Sequence, residues 1–247
     1  MIVDSHIHWP VGANNDPAAF LKVLDRYGTD MAVVSGWEVF LRPGSVAMWN
    51  DRLAGFCRPS GGRLVPLATF YLADGEAAVR EARRSLEELG ARGFKYHPWL
   101  QGENIFCETM YEVCRLAGQF HAPILFHDGT PVYSLSSQIA VLAGLFPETL
   151  FILGHGGILH FWEEALEAAR QFPNIYVALC GQHPWAMQVA CDRLPAARLL
   201  WGSDYVGPGA EEFIAYRRGL FARLALPPEV RAAILGENPK RLFRLEE

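Results

Sequence analysis

Residues 123–155, PILFHDGTPVYSLSSQIAVLAGLFPETLFILGH, contain two short apolar runs separated by a longer segment. The runs PILFH and LFILGH have the composition of buried strands, and they end in His127 and His155. Parallel strands need a crossover connection of about a dozen residues or more, and the intervening segment is long enough to supply one. The stretch therefore predicts a strand, a helix and a second parallel strand, with a histidine at the carboxyl end of each strand.

The same unit recurs along the whole chain. Apolar runs begin near eight positions: Ile2, Met31, Leu64, Gly93, Pro123, Leu150, Ile175 and Leu199. Segments of helical periodicity lie between them, most clearly GEAAVREARRSLEELG (75–90), in which apolar residues repeat at intervals of three and four. Eight such units in 247 residues predict an α/β fold, a single-domain TIM (β/α)8 barrel over residues 1–247. A doubly wound open sheet is the alternative, but SHIHWPVGANN (5–15) is not the Gly-rich phosphate loop usual in that fold.

Composition restricts the class of protein. Hydrophobic residues make up 51% of the chain and charged residues 20%, which favours a large buried core over disorder. The net charge of -5, without a basic stripe, argues against nucleic acid as a partner. No apolar run approaches the roughly 18 residues of a membrane span, so no membrane partner is expected. The five cysteines form no C-x-x-C pair, and no basic-then-apolar leader precedes the first strand, so we expect reduced thiols in a cytoplasmic protein. Homo-oligomerisation is left open.

Polar residues follow the predicted strands. His6 and His8 are spaced by two and so share one face of the first strand, as Lys95 and His97 do on the fourth. The others are His127 after the fifth strand, His155 after the sixth, His183 more loosely after the seventh, and Asp204 after the eighth. A single histidine there is more often structural, but burying six in one place is costly without a shared partner. Because a TIM barrel has its active site at this end, and imidazoles and carboxylates bind divalent metals, the pattern predicts a metal site.

In combination and order, these motifs resemble the amidohydrolase superfamily. They are H-x-H (6–8), the histidine ending PILFH, GHGG (154–157) and GSDY (202–205), with ENPKRLF (237–243) resembling the terminal segment of the amidohydrolase-related group. That group includes aminocarboxymuconate semialdehyde decarboxylase and lactone hydrolases. The resemblance implies metal ligands at His6, His8, His127 and Asp204, and at His155 a catalytic histidine that acts on substrate or water. Arg42 is a candidate, by position alone, for the substrate-binding arginine of the decarboxylases.

The resemblance also implies a divalent metal cofactor. Zn²⁺ is preferred, manganese and iron remain open, and one ion is favoured over two. Such a site leaves a position for water, whose pKa falls from about 15.7 to roughly 7 on Zn²⁺. Asp204 would then be a catalytic proton acceptor, and His155 would donate a hydrogen bond to the developing oxyanion. Lys95 and His97 are the expected substrate-binding residues, with a role as ligand to a second metal left open for His97. Lys95 has two alternative roles. It could be carboxylated and bridge two metals, as in other branches of the superfamily, or it could form a structural ion pair.

The leading function is therefore a metal-dependent hydrolase of a small-molecule ester, lactone or amide. A nonoxidative decarboxylase of a small carboxylic acid is the alternative. A metal-dependent deoxyribonuclease is disfavoured, since Lys95 stands where that family has a glutamate. A noncatalytic barrel held together by its metal is disfavoured because structural zinc sites often use thiolates, and only Cys180 lies near a strand end. Asp4 has two interpretations that stand nearly level: a carboxylate that orients a histidine, or a plain interior hydrogen-bond acceptor. Four tryptophans follow strand ends and could line a pocket, although packing within loop cores is the commoner outcome for such residues: Trp9, Trp37, Trp99 and Trp185.

Overall fold

The structure, a computed structural model, describes residues 1–9, 16–41, 46–207 and 209–245. Strands and helices alternate along these residues. The strands are β1 (Val3–Trp9), β2 (Met31–Gly36), β3 (Leu64–Leu67), β4 (Phe94–Tyr96), β5 (Ile124–Phe126), β6 (Phe151–Leu153), β7 (Ile175–Ala178) and β8 (Leu199–Leu200). The first helices are α1 (Pro17–Arg26), α2 (Val46–Cys57), α3 (Glu76–Glu87), α4 (Pro98–Gln101), α5 (Glu108–Gln119) and α6 (Ser136–Leu145). They are followed by α7 (Trp162–Gln171), α8 (Pro184–Arg193), α9 (Glu212–Ala222), α10 (Pro228–Ala232) and α11 (Asn238–Phe243).

All neighbouring strands are parallel, and they form a ring. Pairing runs in chain order through β1-β2-β3 and through β4-β5-β6-β7-β8. Backbone hydrogen bonds join the two groups at both seams. Lys95 N donates to Ala68 O at 2.8 Å between β3 and β4, and Asp204 N donates to His6 O at 2.8 Å between the end of β8 and β1. The predicted TIM barrel is confirmed, and the open sheet is excluded.

Two apolar clusters account for the burial of the strands. The larger one packs the outer faces of the strands against the helices. The smaller one fills the barrel interior with one or two residues from most strands, among them Val33, Leu125 and Ile152, and Leu242 and Phe243 of α11 pack against them. Apolar side chains therefore occupy one part of the interior, and the polar strand-end residues occupy the rest.

Local sequence explains how individual helices begin and end. The Asp16 carboxylate accepts a hydrogen bond from Ala18 N at 2.9 Å, and Pro17 occupies the first helical position of α1, where a missing N–H costs nothing. The periodicity of 75–90 correctly predicts α3, whose buried face includes Ala78 and Ala82. Gly90, with φ of 72°, follows that helix. Among the described residues, no helix combines the length and apolarity that a membrane crossing requires.

Candidate metal centre

His6 and His8 both direct their Nε2 atoms toward one carboxylate. Their other ring nitrogens are held by the protein: His6 Nδ1 lies 3.0 Å from Gly154 O, and His8 Nδ1 lies 3.0 Å from Ser35 Oγ. Because a carbonyl oxygen can only accept, His6 carries its proton on Nδ1, and its lone pair is on Nε2. The Nε2 atoms of His6 and His8 lie 3.5 Å and 3.3 Å from Asp204 Oδ1. Fixing one ring nitrogen in this way is typical of histidines that bind a metal through the other.

Asp204 reaches this position through an unusual backbone. It adopts the left-handed region, with φ of 57°, four residues after the end of β8. A Cβ on Gly202 would lie 2.6 Å from His6 Cβ, so only glycine lets this segment approach β1 so closely. The Asp204 side chain is 25% exposed, whereas His6 and His8 are 1% and 2% exposed. Asp204 is therefore the member of this group that is open to solvent.

Asp4 is an interior hydrogen-bond acceptor, the second of its two interpretations, and it does not orient a histidine ring. Its Oδ1 accepts hydrogen bonds from the backbone N–H groups of His6, at 3.2 Å, and Ser203, at 3.0 Å. The pairing of β1 with β2 shifts register between Asp4 and Ile7, so the period of two does not extend from Asp4 to the histidines. Burial raises the pKa of Asp4 to about 6, although hydrogen bonds from Ser203 and His6 oppose this. Asp4 thus ties the backbone of β1 to the segment after β8.

Lys95 lies in the barrel interior, directly beside the histidine pair. Its side chain is 1% exposed, and its Nζ is 3.0 Å from His6 Nε2. Burial lowers the pKa of Lys95 to about 8, while the charges of Asp204, Cys180 and Asp128 oppose that shift. The structure therefore places this predicted substrate-binding residue in contact with a predicted metal ligand.

His155, His127 and His97 form a second row of rings next to Asp204. His155 Nδ1 is 4.0 Å from Asp204 Oδ2, and His155 Nε2 is 2.7 Å from His127 Nδ1. The His97 ring stacks on that of His127, with centroids 3.9 Å apart and planes 13° apart. His127 Nε2 is 3.1 Å from Thr130 Oγ1. The predicted ligand His127 therefore reaches the centre through His155.

Two groups of donors are compact enough to hold an ion. Within the described residues, ligand atoms of His6, His8 and Asp204 all lie within 4.8 Å of one another. His127 is not a member of that group, and its role as a ligand stays a prediction. A second group is formed by His6, His155 and Cys180.

Protonation states match what a metal ion requires. Burial lowers the pKa of His6 and His155 well below the ordinary value and that of His127 to about 3, and the charge of Lys95 adds to each shift. Burial alone would raise the pKa of Asp204, but His155, His8 and Lys95 outweigh it and hold that pKa below its ordinary range. Neutral imidazoles beside an ionised carboxylate are the forms that bind a divalent cation, so this donor set fits the metal that the motifs imply.

Cys180 contacts the centre but was given no role by the sequence motifs. It lies two residues after β7, and its thiol donates to Gly154 O at 2.8 Å. Its sulfur lies 3.7 Å from His6 Nδ1 and 3.6 Å from His155 Nδ1. The sequence did contain a signal for Cys180, because it follows a predicted strand as the site histidines do.

Asp128 is a second residue whose part the motifs did not reveal. Its Oδ1 accepts from His155 N at 2.6 Å, and its Oδ2 accepts from Gly157 N at 2.6 Å and from Ser136 Oγ at 3.2 Å. This buried carboxylate fixes the turn after β6 against the end of β5. The sequence contained a signal for this role, because Asp128 directly follows the strand-end residue His127.

The four tryptophans that could line a pocket differ in position. Trp9 is fully buried in the outer core, with its ring 5.3 Å from that of Phe56, so it does not line the site. Trp37 contacts the His8 ring at 5.0 Å, and Trp99, 52% exposed, contacts the His97 ring at 6.2 Å.

Trp185 is exposed and stacks on His183 with centroids 6.3 Å apart. His121 and His160 are exposed, as expected. Arg42 lies outside the described residues.

Fold and donor set together define a metal-dependent enzyme built on a TIM barrel. The family described as amidohydrolase matches residues 3–245, and the chain belongs to that family. Its solved structural neighbours include proteins named as decarboxylases and a hydratase. A comparison with curated proteins gives no match.

Three solved structures illustrate the likeness. The 2,6-dihydroxybenzoate decarboxylase from Rhizobium has a TM-score of 0.77 at 18% identity, covering 100% of this chain and 99% of the other. The 4-oxalomesaconate hydratase from Rhodopseudomonas palustris has a TM-score of 0.77 at 17% identity, covering 100% and 96%. The 5-carboxyvanillate decarboxylase from Sphingomonas paucimobilis has a TM-score of 0.75 at 17% identity, covering 98% of each. At such identities, the likeness shows the shared fold.

Proposed function

We propose that this protein is a metal-dependent hydrolase of a small-molecule ester, lactone or amide. The observation that carries the proposal is the position of Asp204. Its Oδ1 lies within 3.5 Å of Nε2 of both His6 and His8, yet its side chain is 25% exposed while the histidines are buried. A water molecule or substrate arriving from solvent therefore meets this carboxylate at the histidine pair.

His6, His8 and Asp204 would hold the metal, with His127 as the further predicted ligand. When bound, a divalent metal supplies Lewis acidity and lowers the pKa of water, and Zn²⁺ suits imidazole and carboxylate donors. One ion is the simplest occupancy of this donor group.

The protein's own groups provide the proton transfers. The pKa of Asp204 lies below its ordinary range, so the carboxylate is ionised and can accept a proton from attacking water. It can then return that proton to the leaving group. Neutral His155 can donate one hydrogen bond to a developing oxyanion, and Lys95 can interact with a substrate carboxylate.

Nonoxidative decarboxylation of a small carboxylic acid is the second candidate. It is supported by solved structures of similar fold that are named as decarboxylases. In that reaction, Asp204 would have to deliver a proton to carbon, which requires it to be protonated first. Because Asp204 is ionised, it can accept a proton without a preceding step, whereas delivery of a proton to carbon would need that extra step, and this favours hydrolysis.

A paired substrate panel tests the proposal. Metal-loaded protein is incubated with lactones and esters, with acid release followed by a pH indicator, and with aromatic and β-keto acids, with released carbon dioxide measured. We expect hydrolysis of at least one lactone or ester, lowered by about 100-fold or more in Asp204→Asn, because a general base typically contributes 10²–10⁴-fold. Carbon dioxide release without hydrolysis would establish the second candidate instead. Fully metallated protein that is inert to both panels would contradict both functions.

A further inference from the structure

We propose that Lys95 competes with the metal ion for His6, so that metal binding must displace the lysine side chain. The inference rests on the proposed metal centre but not on the reaction it catalyses. It concerns how tightly the centre holds its ion.

The competition follows from the chemistry of one ring nitrogen. A neutral imidazole has one N–H group and one lone pair. The Nδ1 of His6 faces Gly154 O at 3.0 Å, which places the proton there and leaves the lone pair on Nε2. That lone pair faces Lys95 Nζ at 3.0 Å. A zinc ion would require the same lone pair at about 2.0–2.1 Å, so the metal bond and the lysine hydrogen bond exclude one another.

Lys95 cannot avoid the conflict by moving to solvent. Its backbone is fixed in β4, where its N–H donates to Ala68 O at 2.8 Å, and its side chain is 1% exposed. A divalent cation on His6 would therefore stand close to the Lys95 amino group, with little water between them. The metal must displace the lysine hydrogen bond, so its affinity is lowered.

The displaced ammonium group keeps its three N–H donors. Once the metal has taken His6, these donors are available to a carboxylate, either Asp204 or an anionic substrate in the centre. Metal loading would thus precede the use of Lys95 as a substrate contact.

Metal affinity of the lysine variant tests the inference directly. Metal-free protein, prepared with a chelator, is titrated with Co²⁺ against a competing chelator of known affinity. We expect Lys95→Met to bind Co²⁺ roughly 10- to 100-fold more tightly than wild type, since a hydrogen bond to a charged group contributes about 1.5–3 kcal/mol. Lys22→Met is the matched control, because Lys22 is exposed on α1 and the same loss of charge there should leave affinity unchanged.

Nitrogen chemical shifts provide a readout that needs no metal. In metal-free protein with labelled histidine, Lys95→Met should move the Nε2 resonance of His6 toward that of a free lone pair, and Lys22→Met should not.

Equal or weaker Co²⁺ binding by Lys95→Met would overturn the proposal, and weaker binding would indicate that Lys95 supports the metal, as a carboxylated lysine does. If Lys95→Met does not fold, Lys95→Gln serves the same comparison. Wild-type protein that binds no divalent ion would instead refute the metal centre itself.

Discussion

Neutral histidines around an ionised aspartate are costly to bury unless something shares their lone pairs. His6 and His8 illustrate the arrangement, since each has one ring nitrogen engaged by the protein and the other directed at Asp204. Lys95 Nζ lies 3.0 Å from His6 Nε2 and so shares the lone pair of that ring. The residues are thus arranged to bind a cation, and either a metal ion or the ammonium group of Lys95 can be that cation.

Replacing His127 tests the predicted ligand that lies farthest from the compact donor group. Its Nδ1 contacts His155 Nε2 at 2.7 Å, so it would reach a metal only if one ion lies between these rings and Asp204. We expect His127→Ala to lose bound metal and activity together, measured by elemental analysis and turnover of the same sample. His160→Ala, at an exposed position, is the control. Full metal content in His127→Ala would remove this residue from the ligand set.

Replacing Asp128 tests whether this carboxylate positions His155 for the reaction. Its two oxygens accept three hydrogen bonds, including those from His155 N and Gly157 N at 2.6 Å. Asp128→Asn leaves a single acceptor oxygen, so one buried N–H loses its partner, which costs about 1–3 kcal/mol. We expect the free energy of unfolding in urea to fall by that amount and kcat to fall with little change in KM.

The exposed Asp192→Asn on α8 should change neither quantity. An Asp128→Asn protein with wild-type kcat would show that the carboxylate does not position His155 for the reaction.

The turn after β6 depends on two adjacent glycines. Gly156 and Gly157 have φ of 55° and 84°, and a Cβ on Gly157 would lie 2.2 Å from Phe161 O. Because that neighbour is backbone, it cannot simply rotate away. We expect Gly157→Ala to lower the free energy of unfolding by at least about 1–3 kcal/mol, the usual cost of such backbone strain, measured in urea with a chelator present.

Gly55→Ala provides the matched comparison. Gly55 lies in α2 with nothing within 4 Å of its virtual Cβ, so alanine there should stabilise the protein by about 0.4–1 kcal/mol. Similar effects of the two substitutions would show that the turn tolerates a side chain and is not constrained as described.

Strands and helices were predictable to different degrees from their pattern. Continuous apolar runs predicted all eight strands, because a barrel buries both faces of each strand. The periodicity of 75–90 predicted α3. The register shift between Asp4 and Ile7 was not predictable, since no residue in that run marks a bulge, and it is the reason Asp4 does not orient a histidine ring.

Closure of the barrel brings together residues from opposite ends of the sequence. The hydrogen bond from Asp204 N to His6 O lies at the seam between β8 and β1, within the donor group itself. Strand-end position alone predicted that these residues would meet. It could not predict that Lys95 would contact His6, or His127 contact His155, because those contacts depend on side-chain rotamers.

This link between closure and the donor group predicts that metal stabilises the whole fold. An ion bound by His6, His8 and Asp204 would bridge β1 to the segment after β8, and unfolding would release it. At a metal concentration 100 times Kd, such binding adds about 2.7 kcal/mol, or roughly 5–10 °C in Tm for a chain of this size. Thermal unfolding of chelator-treated protein, with and without added Zn²⁺ or Mn²⁺, measures the effect. His8→Ala should abolish it, since a donor at the seam is lost, whereas His160→Ala should retain it. A wild-type Tm unmoved by either ion would mean that no cation bridges the seam.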